Sequence, residues 1–254
     1  MDLSPYGGPA EALVLDALIQ EVTPKGKVVW SWNSEDHIAT EESRPFMKSL
    51  LATPARRADG LDSYDIVHVN SAEVQGDSIL ISLRHTDGLY KVNRATGAIE
   101  WKLGGTRTPE SLSVTGAAED SLIFSGQHDA RRLADGTISV HDNRTGTMLG
   151  PRAVRFKIDE AARTATQVEE LTDPATVSSL CCGSARRIAG GNWVMSWGFN
   201  GLVTELTASG ERVFGLRFGT ENDVFSYRAV PLMPGEVSAR ALRAGMDAMH
   251  PPGP

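Results

Sequence analysis

The chain has 254 residues, 41% of them hydrophobic and 22% charged, enough for one large all-β domain or two small ones to bury a sizeable core. Its 32 acidic and 25 basic residues give a formal net charge of −7, which excludes nucleic acid as the main partner, because phosphate binding needs a basic face. The two cysteines, Cys181 and Cys182, are adjacent, which excludes a disulfide framework and a spaced zinc-ligand pattern; they read as two small buried residues on a strand. No stretch is long and apolar enough to span a membrane. The first twenty residues lack the basic start and apolar centre of a signal peptide, so no targeting signal is read in this chain.

In chain order, residues 19–32, IQEVTPKGKVVWSW, predict a strand, a turn and a second strand. Residues 34–58 carry acidic side chains and then RPFMKSLLATPARR, expected as a loop with a short helix. Residues 78–105, SILISLRHTDGLYKVNRATGAIEWKLGG, predict three short strands: an apolar run, an alternating run, and, after a Gly-containing turn, a strand ending in glycine. Residues 106–120 are expected as a long polar loop between strands, and residues 122–158 as a strand pair around ADGT followed by an alternating strand at AVRFKID. Residues 192–219, NWVMSWGFNGLVTELTASGERVFGLRFG, copy 78–105: Ser82 matches Ser196 and, after a one-residue gap, Gly97 matches Gly210. Residues 238–249 read as a helix, followed by a tail, HPPGP, expected to be disordered.

A sheet of a few short strands cannot bury both faces alone, but sheets stacked radially can, leaving only short edges. The best copies lie about two blades of ~40–50 residues apart, which places an intermediate copy at residues 122–158. The expected fold class is therefore all-β, a β-propeller of antiparallel meander blades over residues 1–237, with the helix and tail at 238–254 outside it.

Of six histidines, three stand in chemically useful contexts: His68 in SYDIVHVNSAEV, His85 in SLRHTDG and His128 in FSGQHDARRLADGT. His68 and His128 each precede an apolar strand, where a propeller brings its innermost strands and loops towards the axis. Their neighbours are polar: Asn70 and Ser71 in one case, Gln127 and Asp129 in the other. A histidine so placed can be held in one tautomer and act as base, acid or anion ligand; the plainer reading is a satisfied loop or core histidine. Arg84, Arg131, Arg144 and Arg152 are the cations that could bind an anionic group such as sulfate or phosphate. No P-loop, GxGxxG-helix or GxSxG pattern is present, and the glycine pairs at 104–105 and 190–191 fit turns. Glu35, Asp36 and His37 offer metal ligands but are loop neighbours, and DNRTG at 142–146 is a turn sequence. A metal-assisted hydrolase built on His68, His128 and Asp129 would need at least three converging ligands, so no metal or cofactor is expected.

These words, in this order, resemble the arylsulfotransferase family: DLSPYGGP, IQEVTPKGKVVWSW, SEDH, DIVHVNS, ISLRHTDGLYKVNRATGAIEWKLGG, QHDARRLADGTISVHDN, RAVRFKID and GGNWVMSWG, within a resemblance that runs from about Asp2 to Tyr227. The resemblance implies a six-bladed β-propeller that moves a sulfuryl group from a phenolic sulfate ester to a phenol, without a nucleotide donor. The expected partners are small-molecule aryl sulfates and phenols. By this resemblance His68 and His128 are the catalytic, sulfuryl-handling histidines. Asn70, Arg84, His85 and Asp129 stand around them, and either Arg144 or Arg152 is the arginine that follows the DN word. The catalytic histidine that the family carries further on has no counterpart, since no histidine occurs between His141 and His250. His68 or His128 then serves as nucleophile, or the chain is a non-catalytic binding or scaffold propeller. Family members carry earlier blades and an export signal ahead of the DLSPYGGP word, so by resemblance the protein is expected to be exported, with an incomplete, open or smaller ring in the present chain. An open ring exposes unpaired strand edges.

Overall fold

The structure is a computed structural model that describes residues 1–116, 122–218 and 225–249. The chain opens with strands β1 (Leu13–Leu15), β2 (Leu18–Val22) and β3 (Val28–Asn33), then helix α1 (Arg44–Ala52) and strands β4 (Ala55–Arg56) and β5 (Asp62–Asp65). β2 and β3 form a hairpin, and β1, β5 and β4 a small sheet in which β1 runs parallel to β5. A four-stranded antiparallel meander follows: β6 (Val69–Gln75), β7 (Ser78–Leu83), β8 (Gly88–Asn93) and β9 (Ile99–Gly104). The next sheet holds β10 (Ser113–Thr115), β11 (His128–Arg132), β12 (Ile138–Asp142), β13 (Arg152–Asp159) and β14 (Thr164–Thr172), in the spatial order β10-β14-β13-β12-β11. A second four-stranded meander closes the series with β15 (Ser184–Arg187), β16 (Trp193–Ser196), β17 (Leu202–Leu206) and β18 (Arg212–Arg217), and helix α2 (Ala239–Met249) follows it.

The alternation of side chains along each strand explains how these sheets stack. In β7, Ile79, Ile81 and Leu83 enter one core with Leu3, Trp32, Ile66 and Tyr90, whereas Leu80 enters a second core with Trp101, Phe124 and Val140. A run that looks uniformly apolar is thus a strand buried on both faces, each against a different neighbour. A third core, around Trp193, Met195, Trp197 and Leu206, lies beyond it. The inner strands meet: β11 packs against β6 on one side and β15 on the other. This radial stacking of antiparallel sheets is the β-propeller expected from the sequence. Among the described residues three sheets have four or more strands and two are smaller, so the ring is incomplete relative to six full blades.

The strands expected in residues 78–105 occur as β7 to β9 and those of 192–219 as β16 to β18; each trio gains an inner partner, β6 or β15. Residue 219 lies outside the described residues, as do 117–120 and the tail 250–254. Two expectations need correction. The stretch 106–120 is not all loop: Ser113–Thr115 pairs in parallel with β14, where Val114 packs on the second core. The cysteines are not on a strand; they lie in the turn before β15, where Cys182 takes φ 68°, incompatible with extended pairing.

That turn also constrains Gly183, at φ 96°. A Cβ there would stand 2.4 Å from the His141 ring and 2.8 Å from the Ser196 carbonyl oxygen, both in the packed interior. Gly183→Ala is expected to destabilise the fold by about 2–4 kcal/mol, adding overpacking to a left-handed backbone penalty; urea unfolding followed by tryptophan fluorescence measures it.

Candidate active site

Both predicted histidines stand where an inner strand begins. His68 immediately precedes β6 at φ 52°, and His128 is the first residue of β11, followed by Asp129 at φ 57°. Each strand carries a bulge just after this start, between Val69 and Ser71 and between His128 and Arg131. A bulge re-aims the side chains at its edge, and here the rings gather: His68 lies 4.7 Å from His85 and 6.4 Å from His128, centroid to centroid, and His128 lies 6.0 Å from Tyr227.

Each ring is anchored through Nδ1. His68 Nδ1 donates to the Asp65 carboxylate, His85 Nδ1 to the Asp65 main-chain carbonyl, and His128 Nδ1 to the Gly126 carbonyl at 3.0 Å. Carbonyl and carboxylate oxygens only accept, so all three rings carry a proton on Nδ1 and leave Nε2 for other partners. The Nε2 of His128 is buried with no hydrogen-bond partner. Burial pulls His85 down to about 4 and His128 down to about 3, so both are neutral at pH 7. At Asp65, burial works upward but is outweighed by the hydrogen bonds from the His68 ring and main chain, which hold the carboxyl below the usual range.

Arg84 supplies the cation. Its buried guanidinium donates to the Leu180 carbonyl at 2.9 Å, lies over the Phe46 ring at 4.9 Å, and leaves Nε without a partner. Burial lowers its pKa, countered by the charges of Cys181, Asp87 and Cys182; an arginine nevertheless stays protonated. Phe46 reaches the site from α1 and also packs 5.0 Å from His85. That insert is fixed by Glu42, whose buried carboxylate accepts from Lys102 Nζ and, at 2.9 Å, from the Tyr90 hydroxyl.

Four expected contacts are placed differently. Arg144 and Arg152 direct their guanidinium groups to Asp142, Glu170 and the carbonyls of Gly150 and Ile123, lining a separate hollow of about 230 Å³ beside Leu122 and Leu149. The pairing of Asp142 with Arg152 across β12 and β13 dictates this. Asp129, fully buried, is ion-paired to Arg131, Arg186 and Arg228 and is a structural hub. Asn70 ties β6 to β11 by donating to the Gln127 carbonyl at 2.8 Å and accepting from the Asp129 N–H at 3.3 Å. His37, in the EDH word, stacks on Trp32 at 5.1 Å. Among the described residues, Asp65, His68 and His85 converge with metal-ligand spacing, their ligating atoms within 4.8 Å of one another.

Sequence reasoning did not single out several groups that the fold brings here. Asp65 lies in the DxxH word itself. His141 is paired opposite His128 across β11 and β12, and burial pulls it to about 4. Asn143 donates to the Gly126 and Cys182 carbonyls, and Tyr227 and Arg228 arrive from the far end of the chain. Asp87 accepts the Gly126 N–H at 2.6 Å; burial, with Asp142 adding to it, raises its carboxyl to about 7 despite the Gly126 bond and the Arg84 charge. A carboxyl raised on folding contributes stability below its unfolded pKa of ~4 that is lost as pH rises through about 7. Asp87→Asn is therefore expected to gain stability over wild type steadily from pH 4 to 7 and to hold a constant difference above, as urea unfolding at several pH values would show.

Inner strand starts that collect Nδ1-anchored imidazoles beside a buried guanidinium define a β-propeller with a histidine site at the meeting of its blades. The chain belongs to the arylsulfotransferase family, whose description, Arylsulfotransferase (ASST), matches residues 1–219. No curated protein matches it. Solved structures with some likeness include a protein of unknown function from Bacteroides caccae, 11% identical with a TM-score of 0.41, covering 80% of this chain and 58% of that one. A catalytically inactive variant of virginiamycin B lyase from Staphylococcus aureus with quinupristin is 14% identical at a TM-score of 0.40, covering 81% and 61%. Regucalcin, a calcium-binding protein from Agrobacterium tumefaciens, is 14% identical at 0.31, covering 63% and 64%. The chain thus spans about three-fifths of the length of these structures. Among the described residues no helix is long and apolar enough to cross a membrane.

Proposed function

We propose that the chain transfers a sulfuryl group from a phenolic sulfate ester to a phenol at the His68–His128–Arg84 cluster. The observation that carries this reading is His68, held by the Asp65 carboxylate with its Nε2 free, beside His85, His128 and Arg84. Arg84 binds the sulfuryl oxygens and stabilises the charge that builds on them as bonds exchange. His68 passes a proton to the departing phenolate and takes one from the incoming phenol, with Asp65 fixing its tautomer and supporting the imidazolium. His128 is neutral in the empty site; an arriving anion favours its protonation, turning Nε2 into a donor for a sulfuryl oxygen. Overall the bond from the sulfuryl sulfur to the donor's phenolic oxygen breaks, one to the acceptor's phenolic oxygen forms, the acceptor's proton is matched through His68 by one on the released phenol, and no nucleotide donor is required.

The test offers a chromogenic aryl sulfate and a phenol acceptor to purified wild type, His68→Ala and His128→Ala. Acceptor-dependent release of the chromophore by wild type, lost in both variants, supports the transferase. No release from folded wild type, with sulfate binding retained, would leave a propeller that binds anions without turnover.

A further inference from the structure

The turn that begins the third inner strand places a pair of thiols beside this cluster. Ser71 of β6 pairs with Ser82, and Ser184 of β15 with Ser196, so the two serines hold the same register in their sheets. The bulge in β6 adds one residue, so His68, three before Ser71, and Cys182, two before Ser184, hold the equivalent place, with Cys181 just ahead of it. Each inner strand also starts from a left-handed residue: His68 at 52°, Asp129 at 57° and Cys182 at 68°. Three blades thus begin alike, and the third brings two adjacent thiols, Cys181 and Cys182, to the strand start from which the first brings an imidazole.

The thiol turn is fastened to the site. Arg84 donates to the Leu180 carbonyl at 2.9 Å, one residue before Cys181. Asn143 donates to the Cys182 carbonyl at 3.0 Å and to the Gly126 carbonyl at 2.7 Å, the oxygen that also anchors His128. The Gly183 N–H donates to the Tyr227 carbonyl at 2.9 Å. The two sulfurs lie 2.8 Å apart; Cys182 is buried, Cys181 partly open. The Cys182 S–H bond, with Arg84 and His68 helping against burial, brings the Cys181 thiol down to about 7, while the same contact pushes Cys182 up. About half of Cys181 is then thiolate at neutral pH, and the buried thiol stands within reach to donate to it.

We propose that Cys181 is the nucleophile that takes up the sulfuryl group, an assignment that rests on the transferase reading above. In the first half-reaction Cys181 Sγ attacks the ester sulfur, a sulfur–sulfur bond forms, and the bond to the phenolic oxygen breaks. The electron pair leaves on that oxygen, which takes the Nε2 proton of a His68 imidazolium supported by Asp65, leaving His68 neutral with its Nδ1 proton still on Asp65. In the second, His68 takes the acceptor's phenolic proton, the phenol oxygen attacks the sulfuryl sulfur, and Cys181 departs as thiolate. No electrons are gained or lost overall. The roles divide cleanly: thiolate as nucleophile, the Asp65–His68 pair for protons, Arg84 for the sulfuryl oxygens.

The experiment is a rapid quench of the full chain mixed with an aryl sulfate and no acceptor, followed by peptide mass spectrometry with and without dithiothreitol. The expected result is the added mass of SO3 on the Cys181 peptide, removed by dithiothreitol because a thiol cleaves a sulfur–sulfur bond. Cys181→Ser should lose phenol release by on the order of 10³-fold or more. Cys182→Ala should move the acid limb of the turnover profile to higher pH, and Cys182→Ser should restore it. An adduct on His68 or His128 that resists dithiothreitol, or undiminished turnover by Cys181→Ser, overturns the assignment and leaves the transferase intact. Folded wild type that neither releases phenol nor gains the adduct overturns both.

Discussion

Asp129→Asn is expected to destabilise the protein by about 3–5 kcal/mol, the range for removing one side of a buried ion pair. The carboxylate is fully buried and receives Arg186 through two bonds of 2.8 Å, Arg131 at 3.0 Å and Arg228 at 3.1 Å. These arginines come from three parts of the chain: β11, β15 and the segment that follows the last sheet. Neutralising the hub leaves three cations close together with only partial access to water, so their mutual repulsion adds to the lost pairing. Arg186→Gln should cost less, because two partners remain. Arg228 also donates to the Asn70 carbonyl at 2.9 Å, so Asp129→Asn should raise hydrogen exchange at residues 225–230 as well. Equal stability of Asp129→Asn and wild type in urea would show that the hub is not energetically coupled.

Asp65→Asn is expected to lower turnover roughly 10²–10⁴-fold while leaving the Michaelis constant and the fold little changed. Asp65 is only partly buried, so its loss does not strand a charge in the interior. Its chemical role is specific: two carboxylate oxygens accept at once, one from the His68 main-chain N–H at 3.0 Å and the other from the ring. Asparagine keeps one acceptor. With its oxygen on the main chain, its amide faces the ring, so Nδ1 must give up its proton and the imidazolium that proton transfer needs is no longer supported. Acid should reproduce the defect. The Asp65 carboxyl is held below its ordinary value, so its contribution is present above pH ~4 and is lost as pH falls through the lowered folded pKa. An unchanged rate in Asp65→Asn would remove Asp65 from the mechanism.

The strands were legible in the sequence because period-two burial and tight turns are local properties. The segments 78–105 and 192–219 carry both, and Ser82 and Ser196 each stand opposite a serine of their inner strand. His68 and His128 were legible for the same reason: each sits at a junction between a polar word and an apolar strand, where inner strands begin. What escaped reading depends on non-local pairing. Arg152 looked available until the pairing of β12 with β13 set it opposite Asp142. Asp129 looked like a site residue, yet its three arginines are known only once β11 and β15 pack together. The cysteines were misplaced because a left-handed residue before a short strand leaves no pattern in side-chain polarity. Arg228 reaches Asn70 across 158 residues, a contact that no local rule anticipates.

The central claim is that His68, His128 and Arg84 form one anion site. A crystal structure of the wild-type chain grown with a non-transferable aryl sulfonate tests it most directly. The account predicts the sulfonate oxygens on Nε2 of His68 and His128 and on the Arg84 guanidinium, with the aryl ring directed away from Asp65. A sulfonate bound instead in the hollow of Arg144 and Arg152, with the three imidazoles untouched, would contradict it.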